Sequence, residues 1–274
     1  MKRSKRKTRE IWIDIVVLIV VILVLFPIIW TVLTSLKGRF DISSLPPKVI
    51  FPPTLENYHK VFVEDGFYRY FKDSIIIATV STVFAIFLGT MAAYSLVRYR
   101  VGGKFLPFWI LSTRMLPPIA IILPIYILMQ RIHLIDTYAS IIIMHILFNL
   151  PFAVWLMSGF FREVPVEIDE AAMLDGCSVF GAFFRILLPV VVPGMLATTV
   201  FCLITSWNEF LFALILSGRH VKTLPVAAAF YVTDRDILWG PMAAVAVIAS
   251  IPIIIFTFLI QKHLVRGLSY GAIK

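Results

Sequence analysis

Long apolar runs separated by short polar segments cover this chain from near its beginning to near its end. A bilayer core about 30 Å thick needs roughly 20 apolar residues per helix, so runs of that length predict membrane-spanning helices. Six such runs occur, at about 12–36, 74–97, 107–129, 139–161, 189–216 and 241–262. We therefore predict an all-α integral membrane protein with six transmembrane helices, a basic N-terminus at 1–11 and a C-terminal tail at 263–274.

The composition agrees with a chain that is surrounded by lipid. It is 60% hydrophobic and 15% charged, whereas globular proteins are about 45–50% apolar and about 25% charged. The net charge of +9 does not indicate nucleic-acid binding, because no basic face with interleaved aromatic residues accompanies it. Cys177 and Cys202 offer neither a disulfide framework nor metal-ligand spacing, and we expect both to be buried small residues.

The distribution of Lys and Arg predicts the orientation, since short loops rich in these residues stay in the cytoplasm. Six basic residues precede the first span and three lie in loop 98–106, whereas loop 130–138 has only Arg131. Segment 37–73 also holds six basic residues, but it is longer and includes five acidic ones. We predict that both termini are cytoplasmic and that 37–73 is a small outer cap, in which Thr54 opens a helix.

The loop between the fourth and fifth spans, 162–188, has its own helical signals. Pro165 suits a first helical turn, acidic residues follow it near the positive end of the helix dipole, and Gly176 can adopt the left-handed conformation that ends a helix. The pattern predicts a helix of about three turns, a turn, and a second helix stopped by Pro189. A loop helix that only packs against the neighbouring spans is the plainer interpretation.

The spacing in this loop matches a known signature. EAA at 170–172, Gly176 and I-x-L-P at 186–189 fit the pattern EAA-x3-G-x9-I-x-LP of permeases from ATP-binding-cassette importers. The sequence therefore resembles these permeases, and among them the smaller second permease of maltose-type carbohydrate importers. The strings PPTLENY, TRMLPPIAIILPIY, WNEFLFAL and GLSYGAIK extend the similarity over nearly the whole chain. One departure is Asp73, where such permeases often carry Asn; we expect it at an exposed span end.

The resemblance implies the architecture of a type I importer permease, with a cytoplasmic coupling helix that docks on an ATPase. It implies three kinds of partner besides the lipid bilayer of the cytoplasmic or inner membrane: a second permease, two ATP-binding subunits and an external sugar-binding protein. This chain has no GxxxxGK[ST] motif, so ATP and Mg are expected on the partner subunits and this subunit is expected to be non-catalytic. The implied ATPase contacts are Glu170, Ala171, Ala172, Asp175 and Gly176 in the loop, and Gly267, Gly271 and Lys274 in the tail.

Polar residues inside spans are energetically expensive and are therefore candidates for the substrate pathway. These candidates are Asn149, Trp207, Asn208, Glu209 and Arg114. Amide, carboxylate and indole groups suit the hydroxyls and C–H faces of a sugar, while Arg114 could instead reach the membrane surface or pair with a neighbouring helix. The alternative is that these groups hydrogen-bond between helices. We expect His145 to be a hydrogen-bonded interior residue.

Our leading hypothesis is a permease subunit that moves a sugar or polyol in an ATP-driven importer. A self-sufficient transporter driven by an ion gradient is the main alternative, but it would require coupling carboxylates near the midplane and inverted repeats. Asp14 and Glu209 are the only acids in the six apolar runs, and no repeat is visible. A membrane-embedded enzyme would need a motif such as HExxH or GxSxG, and neither occurs.

Overall fold

The structure is a computed structural model that describes residues 2–234 and 236–270, with side chains described for 12–234 and 236–258. In chain order the α-helices are α1 (Lys2–Ser35), α2 (Arg39–Ile42), α3 (Glu56–His59), α4 (Tyr68–Arg98), α5 (Phe105–Ser112), α6 (Pro118–Arg131), α7 (Tyr138–Glu163), α8 (Glu167–Leu174), α9 (Val179–Ala182), α10 (Leu188–Trp207), α11 (Leu211–Leu216), α12 (Leu224–Ala228) and α13 (Trp239–Tyr270). Shorter π- or 3-10-helical segments cover Lys60–Glu64, Thr113–Met115, Phe183–Leu187 and Ala229–Tyr231. The all-α fold class is confirmed.

Five helical segments within the described chain are long and apolar enough to cross a membrane. They are Trp12–Ser35, Tyr68–Arg98, Tyr138–Glu163, Val179–Trp207 and Trp239–Phe258. A sixth candidate consists of Phe105–Met115 and Pro118–Arg131, which meet at an angle of 92°. The first helix already begins at Lys2, before the apolar run that starts at Trp12.

The third predicted span is broken, whereas the apolar run predicted one continuous helix over 107–129. Leu116 and Pro117 have extended backbone, with ψ angles of 127° and 124°, and Pro118 is the first residue of α6. A proline cannot donate an N–H group and pushes the preceding residue out of the helical region. The pair Pro117-Pro118 therefore ends one helix and begins another.

The fifth span also differs from the prediction of 189–216. Its helical segment begins at Val179, because the π-helical turn Phe183–Leu187 joins α9 to α10. Pro189 does not stop the helix; it lies in the first turn of α10, where a missing N–H is tolerated. The helix ends at Trp207, and α11 starts after a break at 208–210.

The chain forms two compact units. One extends to Phe67 and includes Ala228–Ile251; the other contains Tyr68–Ala227 and the segment that begins at Pro252. In the second unit, α4 packs along α7, and α10 packs against both. At Gly89 the backbones of α4 and α7 approach closely, and an added Cβ there would lie 2.7 Å from the Cβ of Ala153.

In the first unit, the predicted outer helix is present and is fixed to the end of α1. The Nδ2 group of buried Asn57 donates to the carbonyl oxygens of Ser35 and Lys37, at 2.9 Å and 2.8 Å. The hydroxyl of Thr54 accepts the N–H of Glu56 at 3.1 Å, but the N-cap residue of the helix is Leu55, one position later than predicted. Upstream of these contacts, the most apolar stretch of α1 is not buried by the rest of the described chain.

Candidate coupling loop and transmembrane polar network

The loop between α7 and α10 contains the predicted short helix. The helix, α8, has eight residues, about two turns instead of the predicted three, and is followed by Gly176 with φ +85°. The N–H groups of Gly176 and Cys177 donate to the carbonyls of Met173 and Ala172, both at 3.0 Å. The left-handed turn predicted at Gly176 is therefore present. Cys177 is partly exposed, contrary to the predicted burial, because it lies on this turn.

The outer face of α8 combines negative charge with small and apolar side chains. Glu170, Ala171 and Asp175 are exposed, and Leu174 is 87% exposed. Ala172, also a predicted ATPase contact, is instead buried and faces this chain's own core. The helical periodicity places Ala172 on the opposite side from Glu170. The exposed face offers carboxylates and little steric bulk to another protein.

The inner face of α8 is held by an ion pair. Asp169 contacts Arg98, the last residue of α4, and both side chains are only 6% exposed. Burial raises the pKa of Asp169, and the guanidinium of Arg98 opposes that rise. The Nη2 group of Arg98 also donates to the carbonyl of Val164 at 2.8 Å. Arg98 therefore contacts both the entry to the loop and its first helix.

Asn149 lies at the centre of a buried polar network that joins α4, α7 and α10. Its Nδ2 group donates to the Ser206 hydroxyl at 2.9 Å and to the carbonyl of Cys202 at 3.2 Å. Its Oδ1 accepts the Thr205 hydroxyl at 2.6 Å, and the Ser206 hydroxyl lies 3.0 Å from that of Ser81. Cys202 is buried, as predicted. This geometry supports the interpretation of Asn149 as a hydrogen-bonding link between helices.

His145 and Glu209 form a second buried contact one helical turn away. The Nε2 atom of His145 lies 3.2 Å from a carboxylate oxygen of Glu209. The same carboxylate accepts the N–H groups of Phe212 and Ala213, at 2.9 Å and 3.0 Å, and so caps α11 across the helix break. The expectation that His145 is fully hydrogen-bonded is wrong for one atom: its Nδ1 is buried without a partner in the described chain. In the described chain, the contact of His145 with Glu209 is made by Nε2 and leaves Nδ1 on the other side of the ring.

The two residues before Glu209 differ in environment. Trp207 is buried, and its ring meets that of Phe71 edge-on, with centroids 5.8 Å apart. Asn208 is exposed and donates to the carbonyl of Ile204 in its own helix, at 2.9 Å. Of this pair, Asn208 has the side chain that solvent or a ligand can reach.

Arg114 lies in the broken third span and pairs with a neighbouring helix. Its guanidinium carbon is 4.6 Å and 4.7 Å from the ring centroids of Phe148 and Phe152 on α7, within the range of cation–π attraction. The side chain also lines a mostly apolar cavity of about 340 Å³, together with Met144 and Phe212. Its Nη1 atom is buried and has no hydrogen-bond partner in the part of the chain that the structure describes.

Asp73 is buried, which corrects the expectation of an exposed span end. It lies one turn inside α4, where Oδ1 accepts the hydroxyl of Tyr138 at 2.7 Å and Oδ2 accepts the N–H of Lys222 at 3.2 Å. The neighbouring Ser74 hydroxyl accepts the N–H of Leu224 at 2.7 Å. A carboxylate accepts on both oxygens, whereas the amide of Asn accepts on one. This difference explains why Asp suits a position that faces two donors.

Asp136 fixes the segment after α11 in the same way. Its carboxylate accepts the N–H groups of Arg219, His220 and Val221 at 2.9–3.1 Å, and the Nδ1 group of His220 lies 2.7 Å away. Burial alone would raise the pKa of Asp136, but these hydrogen bonds lower that pKa to about 2. The backbone of residues 219–222 is thus held in place by the carboxylates of Asp73 and Asp136, which lie elsewhere in the chain.

We expect the stability that Asp136 supplies to depend on pH. Because its pKa in the folded chain lies below the ~3.9 of a free aspartate, the contribution is complete above about pH 4 and is lost as the pH falls towards 2. Thermal unfolding of the wild type and of Asp136→Asn, followed from about pH 5 to pH 2, measures this contribution to stability. The variant should be less stable at about pH 5, and the difference should close near pH 2. A difference that stays constant over this range contradicts the assignment.

Sequence inspection did not identify three of these residues as functional or structural centres. Arg98, Asp73 and Asp136 each act on partners more than 60 positions away in the chain, and no local pattern predicts such pairing. The one local indication was Asp73 itself, which stands where such permeases often carry Asn. In the tail, Gly267 lies in α13, while Gly271 and Lys274 lie outside the described residues.

Comparisons with known proteins give one consistent result. Residues 85–270 match the family described as binding-protein-dependent transport system inner membrane component. A probable ABC transporter permease protein of Sinorhizobium fredii is 41% identical over 99% of this chain and 98% of its own length. The trehalose/maltose transport system permease protein of Thermococcus litoralis is 33% identical, over 97% of each chain.

A solved structure shares the fold. It is that of a bacterial ABC transporter involved in the import of the acidic polysaccharide alginate, and it matches with a TM-score of 0.78. The match covers 93% of this chain and 96% of that chain, at 21% sequence identity. At that identity the comparison shows the architecture alone.

Proposed function

Because this chain belongs to the family of inner membrane components of binding-protein-dependent transport systems, we propose that it forms part of the membrane pathway of an ATP-driven sugar importer. It is a multi-pass permease subunit of the cytoplasmic membrane. The observation that carries the proposal is the family match over 85–270, which includes α8 and its EAA sequence.

Three relatives support a carbohydrate substrate. They are the permease proteins of trehalose/maltose transport in Thermococcus litoralis, of trehalose transport in Mycobacterium tuberculosis and of diacetylchitobiose uptake in Streptomyces coelicolor. Each covers more than nine-tenths of this chain, at 30–34% identity. The ion-coupled alternative is not favoured, because the family that the chain matches is that of binding-protein-dependent transport systems.

The energy for transport comes from partner subunits in this proposal. A second permease completes the pathway, two ATP-binding subunits hydrolyse ATP with Mg, and an external protein delivers the sugar. The distribution of basic residues supports a cytoplasmic position for both termini and for loop 162–188. The uncovered apolar surface of α1 provides a face for lipid or for the second permease.

The exposed face of α8 is the proposed contact with the ATPase. Glu170 offers a carboxylate for a basic side chain, and Ala171 allows close approach of the partner surface. Gly176, with its positive φ, fixes the direction in which the chain leaves α8. Movement of the ATPase subunits would then displace α8 together with the helices attached to it.

We expect Glu170→Ala and Gly176→Val to uncouple the transporter. The first removes the exposed carboxylate, and the second forces a β-branched residue into a conformation that costs roughly 1–2 kcal/mol. In proteoliposomes that contain the complete complex, sugar-stimulated ATPase activity and uptake of radiolabelled trehalose, maltose or diacetylchitobiose should fall at least about tenfold, equivalent to about 1.4 kcal/mol. Size-exclusion chromatography should show a normally assembled complex.

Glu163→Ala is the matched control, since Glu163 is an exposed acid of the same loop outside α8. It should leave uptake and ATPase stimulation unchanged. If Glu170→Ala and Gly176→Val both retain sugar-stimulated ATPase activity, the coupling assignment is wrong. Uptake that continues after deletion of every ATP-binding subunit would instead favour an ion-driven transporter.

A further inference from the structure

The coupling helix α8 is too short to hold its position alone. Its eight residues are fewer than the ~12–15 that an isolated helix needs to be even marginally stable in water. Two of its residues, Asp169 and Ala172, are buried. Ala172 contributes one methyl group, so Asp169 is the larger of the two inward contacts. Ile168 is partly buried against the apolar cluster around Phe161, and Asp169 supplies the charged contact that fixes α8 to the transmembrane helices.

Asp169 binds a helix that is not adjacent in sequence. The chain enters the loop from α7 and leaves it towards α10, whereas Arg98 is the last residue of α4. The guanidinium contacts Asp169 and at the same time donates to the carbonyl of Val164, between α7 and α8. Arg98 thus ties both ends of the α7–α8 connection to α4.

Aromatic and apolar side chains pack next to this ion pair. Tyr94, one turn before Arg98, has ring-centroid distances of 5.6 Å to Phe161 and 4.9 Å to Phe183. Both phenylalanines are almost completely buried and belong to one apolar cluster with Val164. A charge pair in such an environment is directional and resists separation, because either charge left alone would be buried without a partner. The contact suits the transfer of force better than exposed or flexible contacts do.

We propose that Arg98 and Asp169 form a latch that makes α4 move with the coupling helix. This inference rests on the coupling role proposed for α8. Through the latch, displacement of α8 reaches α4 directly, in addition to α7 and α10 through the chain. Since α4 packs along α7 and against α10, the three helices then move as one body. Arg98 and Asp169 are positioning residues: neither contacts the sugar nor the ATPase in this proposal.

The test compares single, reversed and control substitutions in the complete importer reconstituted in proteoliposomes. Arg98→Gln and Asp169→Asn each remove one charge and keep much of the side-chain volume. The double variant Arg98→Asp with Asp169→Arg restores an ion pair of reversed polarity. Arg100→Gln is the matched control, because Arg100 is an exposed basic residue two positions after Arg98. For each variant, assembly, ATP hydrolysis and uptake of radiolabelled trehalose, maltose or diacetylchitobiose are measured.

We expect the single variants to assemble and hydrolyse ATP, but to transport at least about fivefold fewer sugar molecules per ATP hydrolysed. The reversed pair should recover at least half of the wild-type ratio, and Arg100→Gln should match the wild type. A purely structural role would lower assembly and hydrolysis together and leave this ratio unchanged, which overturns the proposal. A reversed pair that assembles normally but transports no better than the single variants also overturns it.

Glu170→Ala in the same preparation separates this inference from the coupling role. If Glu170→Ala uncouples the complex while Arg98→Gln and Asp169→Asn keep the wild-type ratio, the latch alone is wrong. If Glu170→Ala, Gly176→Val and both latch variants are all fully coupled, α8 does not transmit force and both assignments fail.

Discussion

Replacement of Gly89 by leucine should prevent α4 and α7 from packing and remove most of the folded protein. An added Cβ at Gly89 would lie 2.7 Å from the Cβ of Ala153 and 3.3 Å from the backbone atoms Ala153 C and Val154 N. Backbone atoms in the middle of a helix cannot move aside as the tip of a flexible side chain can. Overpacking of a well-packed site usually costs about 1–3 kcal/mol and occasionally more, and leucine adds three carbon atoms beyond that Cβ. We expect a loss of about 3 kcal/mol or more.

The measurement is the yield of monodisperse protein in detergent together with its thermal unfolding. Gly159→Leu is the matched control, because Gly159 lies on α7 and a Cβ there meets no atom within 4 Å. Equal yield and stability of the two variants would show that α4 and α7 do not pack closely at Gly89. Small residues at such a crossing are typical of membrane helices, where close approach of backbones replaces the hydrophobic driving force.

Features that depend on a short stretch of sequence were predictable. Apolar runs identified the membrane class because each span is a local property of about 20 residues. The left-handed turn at Gly176 followed from a glycine at the end of a short helical pattern, and its φ of +85° agrees. In the third span, the sequence showed Pro117 and Pro118 but not the angle between the two helices. The proline pair explains why the helix breaks there, but the angle between the two segments depends on how each one packs against its neighbours.

Features that depend on partners far apart in the chain were not predictable. Asp73 and Asp136 could be assigned only as acids near span ends, because their donors lie far away in the chain, on Tyr138 and in the segment after α11. Arg98 looked like a basic residue that fixes topology, yet it pairs with Asp169 inside the protein. In both cases a charge was interpreted from its position relative to the membrane. Its burial followed from the packing of helices, which a single sequence does not encode locally.

The polar residues of the third, fourth and fifth spans show how the two possible roles can be separated. Asn149 and Glu209 were candidates for sugar contact, and the structure places both in hydrogen bonds between segments of this chain. A group whose acceptors are already occupied can contact a ligand only by giving up those bonds. Asn208 and Arg114 retain more freedom: the first is exposed and the second lines a cavity. We therefore expect substitutions of Asn149 and Glu209 to lower fold stability, and substitutions of Asn208 and Arg114 to change substrate affinity.

Replacement of Glu209 by leucine should destabilise the protein far more than replacement of its neighbour Asn208. Leucine leaves His145 buried without its carboxylate and removes the acceptor for the N–H groups of Phe212 and Ala213. Loss of one partner of a buried pair typically costs about 3–5 kcal/mol. Glu209→Gln keeps a carbonyl oxygen for α11, so we expect it to retain most of the stability. Thermal unfolding of the assembled complex measures the order of the variants.

Asn208→Ala is the control for Glu209→Leu, because it removes one exposed hydrogen bond within its own helix. Surface changes of this kind usually alter stability by less than about 0.5 kcal/mol. If Glu209 instead holds the sugar, Glu209→Gln will unfold like the wild type but raise the KM for uptake, and Glu209→Leu will unfold like Asn208→Ala. The structural role requires the opposite: Glu209→Leu loses stability, and Glu209→Gln transports with a near-normal KM. In that case Glu209 stabilises the helix break at 208–210 and so maintains the shape of the pathway, without contacting the sugar.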